Sequence, residues 1–193
     1  MLFTTAAIVS SISFFGASAA PLEARQDAKL KDYDAFNLLT IRSGSPIQNG
    51  AVSAAHRGLL VNLPAGAQNA DCYKPTNTAT FFLAEGELIL YTEENPPQTV
   101  FVDRSGMGKG LISYKTGAEA LPRYAETKGW NVTDTNVLKF GGVDVQACPG
   151  SFNGSYSLWL GGFEQPGNIE GCIGILGKAI KAENPISCYY TTE

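Results

Sequence analysis

FVDRSGMGKGLISYKTGAEA, residues 101 to 120, lies in the middle of a 193-residue chain and reads as a strand, a tight loop and a second strand. Val100, Phe101 and Val102 are β-branched or aromatic, the types that suit a pleated, half-buried surface. Asp103 to Gly110 is too polar and glycine-rich to continue the strand, and Leu111, Ile112 and Tyr114 restart apolar structure. Gly106, Gly108 and Gly110 are expected to supply positive φ, while Asp103 and Ser105 hydrogen-bond the loop's own backbone. The stretch predicts a hairpin, and its period of two extends in both directions.

Leu138 and Phe140, then Val143, Val145 and Ala147, alternate across the Gly141-Gly142 pair, a second hairpin signal. Phe81 to Ala84 and Leu88 to Tyr91 flank Glu85-Gly86 and give a third. Further strands are expected at Phe36 to Arg42, Leu59 to Leu63, Trp130 to Thr133, Leu158 to Leu160, Ile173 to Leu176 and Ser187 to Thr191, about twelve in all. No stretch sustains a helical stripe. Gly177 to Asn184 has room for a turn of helix, and Ala118 to Lys128 is interrupted by Pro122. Three polar, small-residue turns, SAAHRG at 53 to 58, DRSGMG at 103 to 108 and CPGSFNG at 148 to 154, recur at intervals of about fifty and then about forty-five residues. This all-β pattern favours a β-trefoil over a two-sheet β-sandwich.

Residues 1 to 19 form an apolar, uncharged leader ending in Ala17-Ser18-Ala19, the pattern of a secretory signal peptide, although no Lys or Arg precedes its apolar run. Residues 20 to 32 are polar and read as a flexible lead-in or short propeptide, with Arg25 a site for trimming. Residues 33 to 193 then make one compact domain, large enough to bury about two-thirds of its unfolded surface. A formal net charge of −4 without a basic run argues against nucleic acid or anionic membrane as partners. No apolar stretch reaches the roughly 20 residues a transmembrane helix needs. The ending NPISCYYTTE has no hydrophobic tail of the kind a GPI signal carries.

Cys72, Cys148, Cys172 and Cys188 are an even number in a secreted chain and predict two disulfides, with three connectivities open. Their wide spacing, with a single histidine, argues against a metal site, and no cofactor motif is present. Asn131-Val-Thr133 and Asn153-Gly-Ser155 are N-glycosylation sequons. Asn131 alternates with Trp130, so a buried tryptophan sends the asparagine to solvent. His56 would have to serve any Ser-His-Asp triad, with Ser105 and Asp103 or Asp144 as partners, but no Gly-x-Ser-x-Gly elbow exists, and a solvated turn is the expectation. Glu85 with Glu87, and Glu93 with Glu94, sit at turns as soluble carboxylates rather than a glycosidase pair, and no catalytic residue is assigned. Sugar rings stack on exposed aromatic faces. Trp159 lies between leucines in SLWLGG and is read with Trp130 as core, which leaves Tyr73 and Tyr124, both in loops, as the glycan-contact candidates.

The run FVDRSGMG, followed by a short hydrophobic pair, Tyr114, TGA and then Gly129-Trp130, resembles the PhiA-type cell-wall proteins of filamentous fungi. IRSGSPIQ at 41 to 48, ATFFLAEGELILY at 79 to 91, ACPG at 147 to 150, GCIGI and NPISCYYT follow in the same order, so the resemblance covers residues 36 to 191. It implies a secreted, non-catalytic wall protein needed for development of phialides and conidia, held by wall polysaccharide or wall proteins. A soluble effector, lectin-like or allergen-type binding module is the alternative, with a secreted hydrolase or a protease inhibitor behind it.

Overall fold

The computed structural model describes residues 29–94 and 96–192. The expected signal peptide at 1–19, and the expected lead-in as far as residue 28, lie outside the described residues. Fifteen strands form among the described residues. The first eight are β1 (Phe36–Ile41), β2 (Val52–Ala55), β3 (Gly58–Val61), β4 (Ala70–Cys72), β5 (Thr80–Ala84), β6 (Glu87–Leu90), β7 (Gln98–Asp103) and β8 (Leu111–Thr116). The remainder are β9 (Ala125–Glu126), β10 (Trp130–Val132), β11 (Val137–Phe140), β12 (Val145–Cys148), β13 (Tyr156–Leu160), β14 (Ile173–Lys181) and β15 (Cys188–Tyr190).

Eight of them close on themselves. β1 pairs with β5, and β5, β6, β7 and β8 follow as neighbours. β8 meets β13 through Leu111 and Trp159, β13 pairs with β12, β12 with β14, and β14 returns to β1. Every pairing is antiparallel, and the ring abolishes the free edges an open sheet would expose. Alternate residues point inward: Phe36 and Leu38, Phe81 and Leu83, Leu88 and Leu90, Val100 and Val102, Ile112 and Tyr114, Leu158 and Leu160, Val145 and Ala147, Ile175 and Ala179. An eight-stranded barrel is just wide enough for such side chains to fill it.

The single all-β domain is therefore present, but its strands make neither a threefold trefoil nor two packed sheets. The reason lies in β14. Its nine residues pair with β1 along one edge, and with β12 and then β11 in succession along the other. Phe36 stands opposite Lys181, a long-range pairing that no local turn spacing announces. β14 also runs through Gly177 to Lys181, where a helical turn had room. The Gly141-Gly142 turn forms, but past a single Phe140–Val143 bridge its strands diverge to different stretches of β14 rather than laddering as a hairpin. The β5–β6 and β7–β8 hairpins form as the sequence implies.

One end of the barrel is closed by the two-stranded β4–β15 sheet, stapled by a Cys72–Cys188 disulfide. Gln98, fully buried at the start of β7, accepts a hydrogen bond from the Tyr190 N–H at 2.8 Å and donates Nε2–H to the Tyr190 carbonyl at 2.8 Å, so its amide extends the sheet by one rung. The Tyr190 hydroxyl accepts from the Thr80 N–H at 3.2 Å, and the Tyr114 hydroxyl donates to the Thr191 carbonyl. Burial pushes both phenols up, Tyr190 to about 12. Elsewhere Leu30 is buried against the core, and its N–H donates to Asn136 Oδ1 at 3.2 Å.

Candidate functional site

The DRSGMG loop is held by its own side chains. Asp103 Oδ1 accepts the Ser105 N–H at 2.8 Å, Ser105 Oγ accepts the Gly108 N–H at 3.1 Å, and the Asp103 carbonyl accepts the Gly110 N–H at 2.8 Å. Of the three glycines, only Gly110 has positive φ. Gly108 is required by close approach instead, since a Cβ there would lie 2.2 Å from Asp103 Cγ. Arg104 is held by both oxygens of Glu126, at 2.8 and 2.5 Å, which raises the guanidinium's pKa and lowers the carboxyl's. Met107, 96% exposed, stands at the tip, while Lys109 reaches back to Asn168 Oδ1 at 2.9 Å.

Asn168 belongs to the wall of a groove of about 710 Å³ on the barrel's flank. Trp159 is its central aromatic side chain. Leu158 and Leu160 fill the barrel, so period two sends Trp159 outward, and the expectation that it is core is corrected: it is half-buried in the groove, while Trp130 is buried as expected. The indole is fixed at both ends. Its Nε1–H donates to Ser157 Oγ at 2.9 Å, and a Cβ on Gly167 would come within 2.8 Å of its far benzo carbon. Without a side chain there, the loop closes onto the ring.

Two walls rise beside it. The loop after β12 carries Pro149 to Phe152, and the loop before β14 carries Asn168 and Ile169; a Cys148–Cys172 disulfide ties them together. On the far side the β2–β3 hairpin turns through His56 and Arg57, with φ of 50° and 61°. A two-residue turn of this hand is normally Asn-Gly or a relative, and each side chain in a disfavoured region costs about 1 kcal/mol or more. The turn is held by partners. The His56 ring lies 4.2 Å from that of Phe152, centroid to centroid, and Arg57 grips Glu119 at 3.0 and 3.3 Å and the Thr192 carbonyl at 3.1 Å. The Arg57 ion pair lowers the Glu119 pKa. Two of the three turns singled out in the sequence meet here, through the tilted contact of the His56 and Phe152 rings; the DRSGMG turn does not line the groove, and only Lys109 and Leu111, which follow it, reach Asn168 and Trp159. Among the described residues, no Asp or Glu lines the groove.

The imagined triad is not assembled. His56 faces Phe152, Asp103 and Ser105 are occupied within their loop, and Asp144 pairs with Lys139 at 2.9 Å. Among the carboxylates, Glu87 accepts from Thr127 Oγ1 at 2.6 Å, Glu93 accepts from the Tyr91 hydroxyl at 3.1 Å, and Glu85 and Glu94 are exposed at turns. No cluster of three or more metal-ligating side chains occurs among the described residues, and no helix there is long and apolar enough to cross a membrane. Asn131 and Asn153 are both exposed, with Asn153 beside Phe152 on the groove's rim; Ser155 of the second sequon is buried, its hydroxyl donating to the Phe152 carbonyl at 2.7 Å. Tyr73 and Tyr124 are 86% and 55% exposed but stand apart. Tyr73 follows β4 at the closed end, whereas Tyr124 precedes β9 beside Asp103, at the other end of β7. The sequence reading missed Trp159 and Phe152, though strict alternation along Tyr156 to Leu160 was the available signal.

The profile of the PhiA-like secreted protein family matches residues 36–191. The cell wall protein phiA of Aspergillus niger is 41% identical over 186 residues, covering 95% of this chain and 98% of that protein. Those of Aspergillus fumigatus and Emericella nidulans are 42% and 41% identical over 158 and 162 residues, covering 81% and 82% of this chain and 84% and 87% of theirs. No solved structure matches the chain. With the match running from the first residue of β1 to just beyond β15, this chain belongs to the PhiA-like secreted protein family.

Proposed function

We propose that this protein is a non-catalytic component of the fungal cell wall that contributes to the development of asexual structures, phialides and conidia, by associating with wall polysaccharide or wall proteins. The observation that carries the reading is the Trp159 groove, which presents Trp159, Phe152 and His56 and, among the described residues, is lined by no carboxylate. Hydrolysis of a glycosidic bond needs two acids flanking it, so this surface is built to hold a sugar polymer rather than to cut one. Asn131 and Asn153 carry N-glycans in this reading. Tyr73 and Tyr124, at separate places on the barrel, add peripheral contacts to a polymer already bound.

The oxidised, secreted protein incubated with washed insoluble chitin, β-glucan and whole fungal wall is expected to sediment saturably with at least one of them, and to be displaced by soluble oligomers of the same sugar. Protein that stays in the supernatant with every polymer and with whole wall would contradict the reading and favour a soluble effector. The developmental component is tested separately: disruption of the gene should reduce phialide and conidium numbers, and normal numbers would remove it.

A further inference from the structure

Resting on that wall-association reading, we propose that the Trp159 groove is the binding site, and that its ligand is a run of neutral β-linked pyranose units stacked on Trp159 and on the Phe152–His56 pair. Four observations converge. The aromatic faces are fixed before any ligand arrives, Trp159 by Ser157 and Gly167, Phe152 by its tilted contact with the His56 ring, and the two loop walls by the Cys148–Cys172 bond. Such preorganisation removes ordering costs that weaken binding.

The charge is also selective. Among the described residues lining the groove, Arg57 is the one full cation and is taken up by Glu119, Lys109 beside it is held by Asn168, and none is an acid, so an uncharged ligand fits best. A peptide strand is disfavoured by topology. β13, the floor, is paired on both edges, with β12 on one side and β3 and β8 on the other, which leaves no strand edge for main-chain hydrogen bonding. A sugar needs something different, flat faces for its axial C–H surfaces and dispersed polar groups for its hydroxyls. Ser151, Ser157 and Asn168 supply the polar groups beside the rings. β-Linked glucose and N-acetylglucosamine carry their ring substituents equatorially and expose such apolar faces, whereas an α-mannan unit has an axial hydroxyl. The volume, about 710 Å³, lies within the usual span of small-ligand sites.

Tryptophan emission reads the site directly, because Trp130 is buried against Phe140 and Trp159 is not. Titration of the full secreted protein with laminarihexaose and with chitohexaose is expected to shift emission with one or both, the two arms separating glucan from chitin. α-Mannohexaose should produce no shift. Trp159→Phe should abolish the shift, Trp159→Ala should weaken sedimentation with the matching polymer about tenfold, and Phe152→Ala about threefold. Phe152 is 42% exposed, so its truncation keeps the test sound even if Trp159→Ala unfolds. Replacing Tyr73 and Tyr124 by alanine should change affinity less than either groove variant. Sedimentation that survives both Trp159→Ala and Phe152→Ala would overturn the groove while sparing the wall-association reading; equal response to α-mannohexaose would overturn the ligand class. Failure of the unaltered protein to sediment with any polymer or wall would sink the wall-association reading itself. Enzymatic removal of N-glycans beforehand excludes self-occupation by a glycan on Asn153, and a shift that appeared only then would reassign the groove to that glycan.

Discussion

The closed end of the barrel and the groove on its flank use the same materials for opposite purposes. Each has a disulfide and a prominent aromatic side chain on a short strand. At the closed end the Cys72–Cys188 bond lies beside Tyr190, which is wholly buried, with its hydroxyl, N–H and carbonyl all hydrogen-bonded. At the flank the Cys148–Cys172 bond ties together two loops beside a half-buried tryptophan, with Phe152 left partly exposed. A buried polar group contributes only when all its partners are present, whereas an uncovered aromatic face contributes nothing to folding. The closed end is organised for stability, and the groove, in the proposal above, for contact with a ligand.

Removing the disulfides one at a time breaks this comparison most forcefully. Cys72 and Cys188 are 116 residues apart and Cys148 and Cys172 are 24 apart. Loop-closure entropy assigns about 5 kcal/mol to the first bond and about 3 kcal/mol to the second. Replacing Cys72 and Cys188 with alanine should therefore lower urea stability by the larger amount and leave polysaccharide binding by the folded fraction intact. The Cys148→Ala, Cys172→Ala protein should lose less stability and more binding. The same ratio of stability to binding loss in both variants would erase the distinction.

Alkali probes the closed end alone. Burial raises the pKa of Tyr190 to about 12 and that of Tyr114 above the usual range, while tyrosines in the unfolded chain titrate near 10. The fold thus holds these protons more tightly than the unfolded chain does. Its stabilisation is complete below pH 10 and falls as pH rises toward 12, because unfolding then releases protons. A loss on the order of 2 kcal/mol per buried tyrosine is expected across that interval, measured by urea unfolding at pH 9 and pH 11.5 soon after transfer. Tyr190→Phe should be less stable at pH 9 but flatter over the interval. An equal slope in the variant would mean that Tyr190 is not the titrating group.

The fold was legible where its cause is local. The β5–β6 turn at Glu85-Gly86 and the β7–β8 loop announce themselves because turn residues and alternating hydrophobics lie within a few positions of each other. Closure was not legible, because it depends on β14 meeting β1 across most of the chain and on one strand serving three partners. Of the three turns visible in the sequence, SAAHRG and CPGSFNG come together beside Trp159, while DRSGMG stays outside the groove. Trp159 was misread because leucines on both sides look like continuous burial, although a strand with Leu158 and Leu160 inside has its intervening residue outside. SAAHRG was legible as a turn, but the positive φ of His56 and Arg57 was not. Neither residue is one that a positive-φ turn selects, and the partners that hold them there, Phe152, Glu119 and Thr192, are scattered through the chain.

That turn offers the subtlest way to sharpen the contrast, since here stability and recognition pull in opposite directions. His56→Asn with Arg57→Gly would give the residues this hairpin geometry prefers. Relief of two disfavoured backbone conformations is worth about 1 to 2 kcal/mol, and the lost Arg57–Glu119 pair, being half-exposed, subtracts less than about 1 kcal/mol. The double variant should therefore be roughly 1 kcal/mol more stable, read from the urea midpoint at unchanged m-value. Because Phe152 loses the ring it rests on, the same variant should bind polysaccharide a few-fold more weakly, with Arg57→Gly alone gaining stability while retaining His56. A double variant that is less stable than the parent would show that the ring contact with Phe152 and the grip on Glu119 outweigh the backbone strain. The turn would then belong with the closed end, as part of what holds the barrel together.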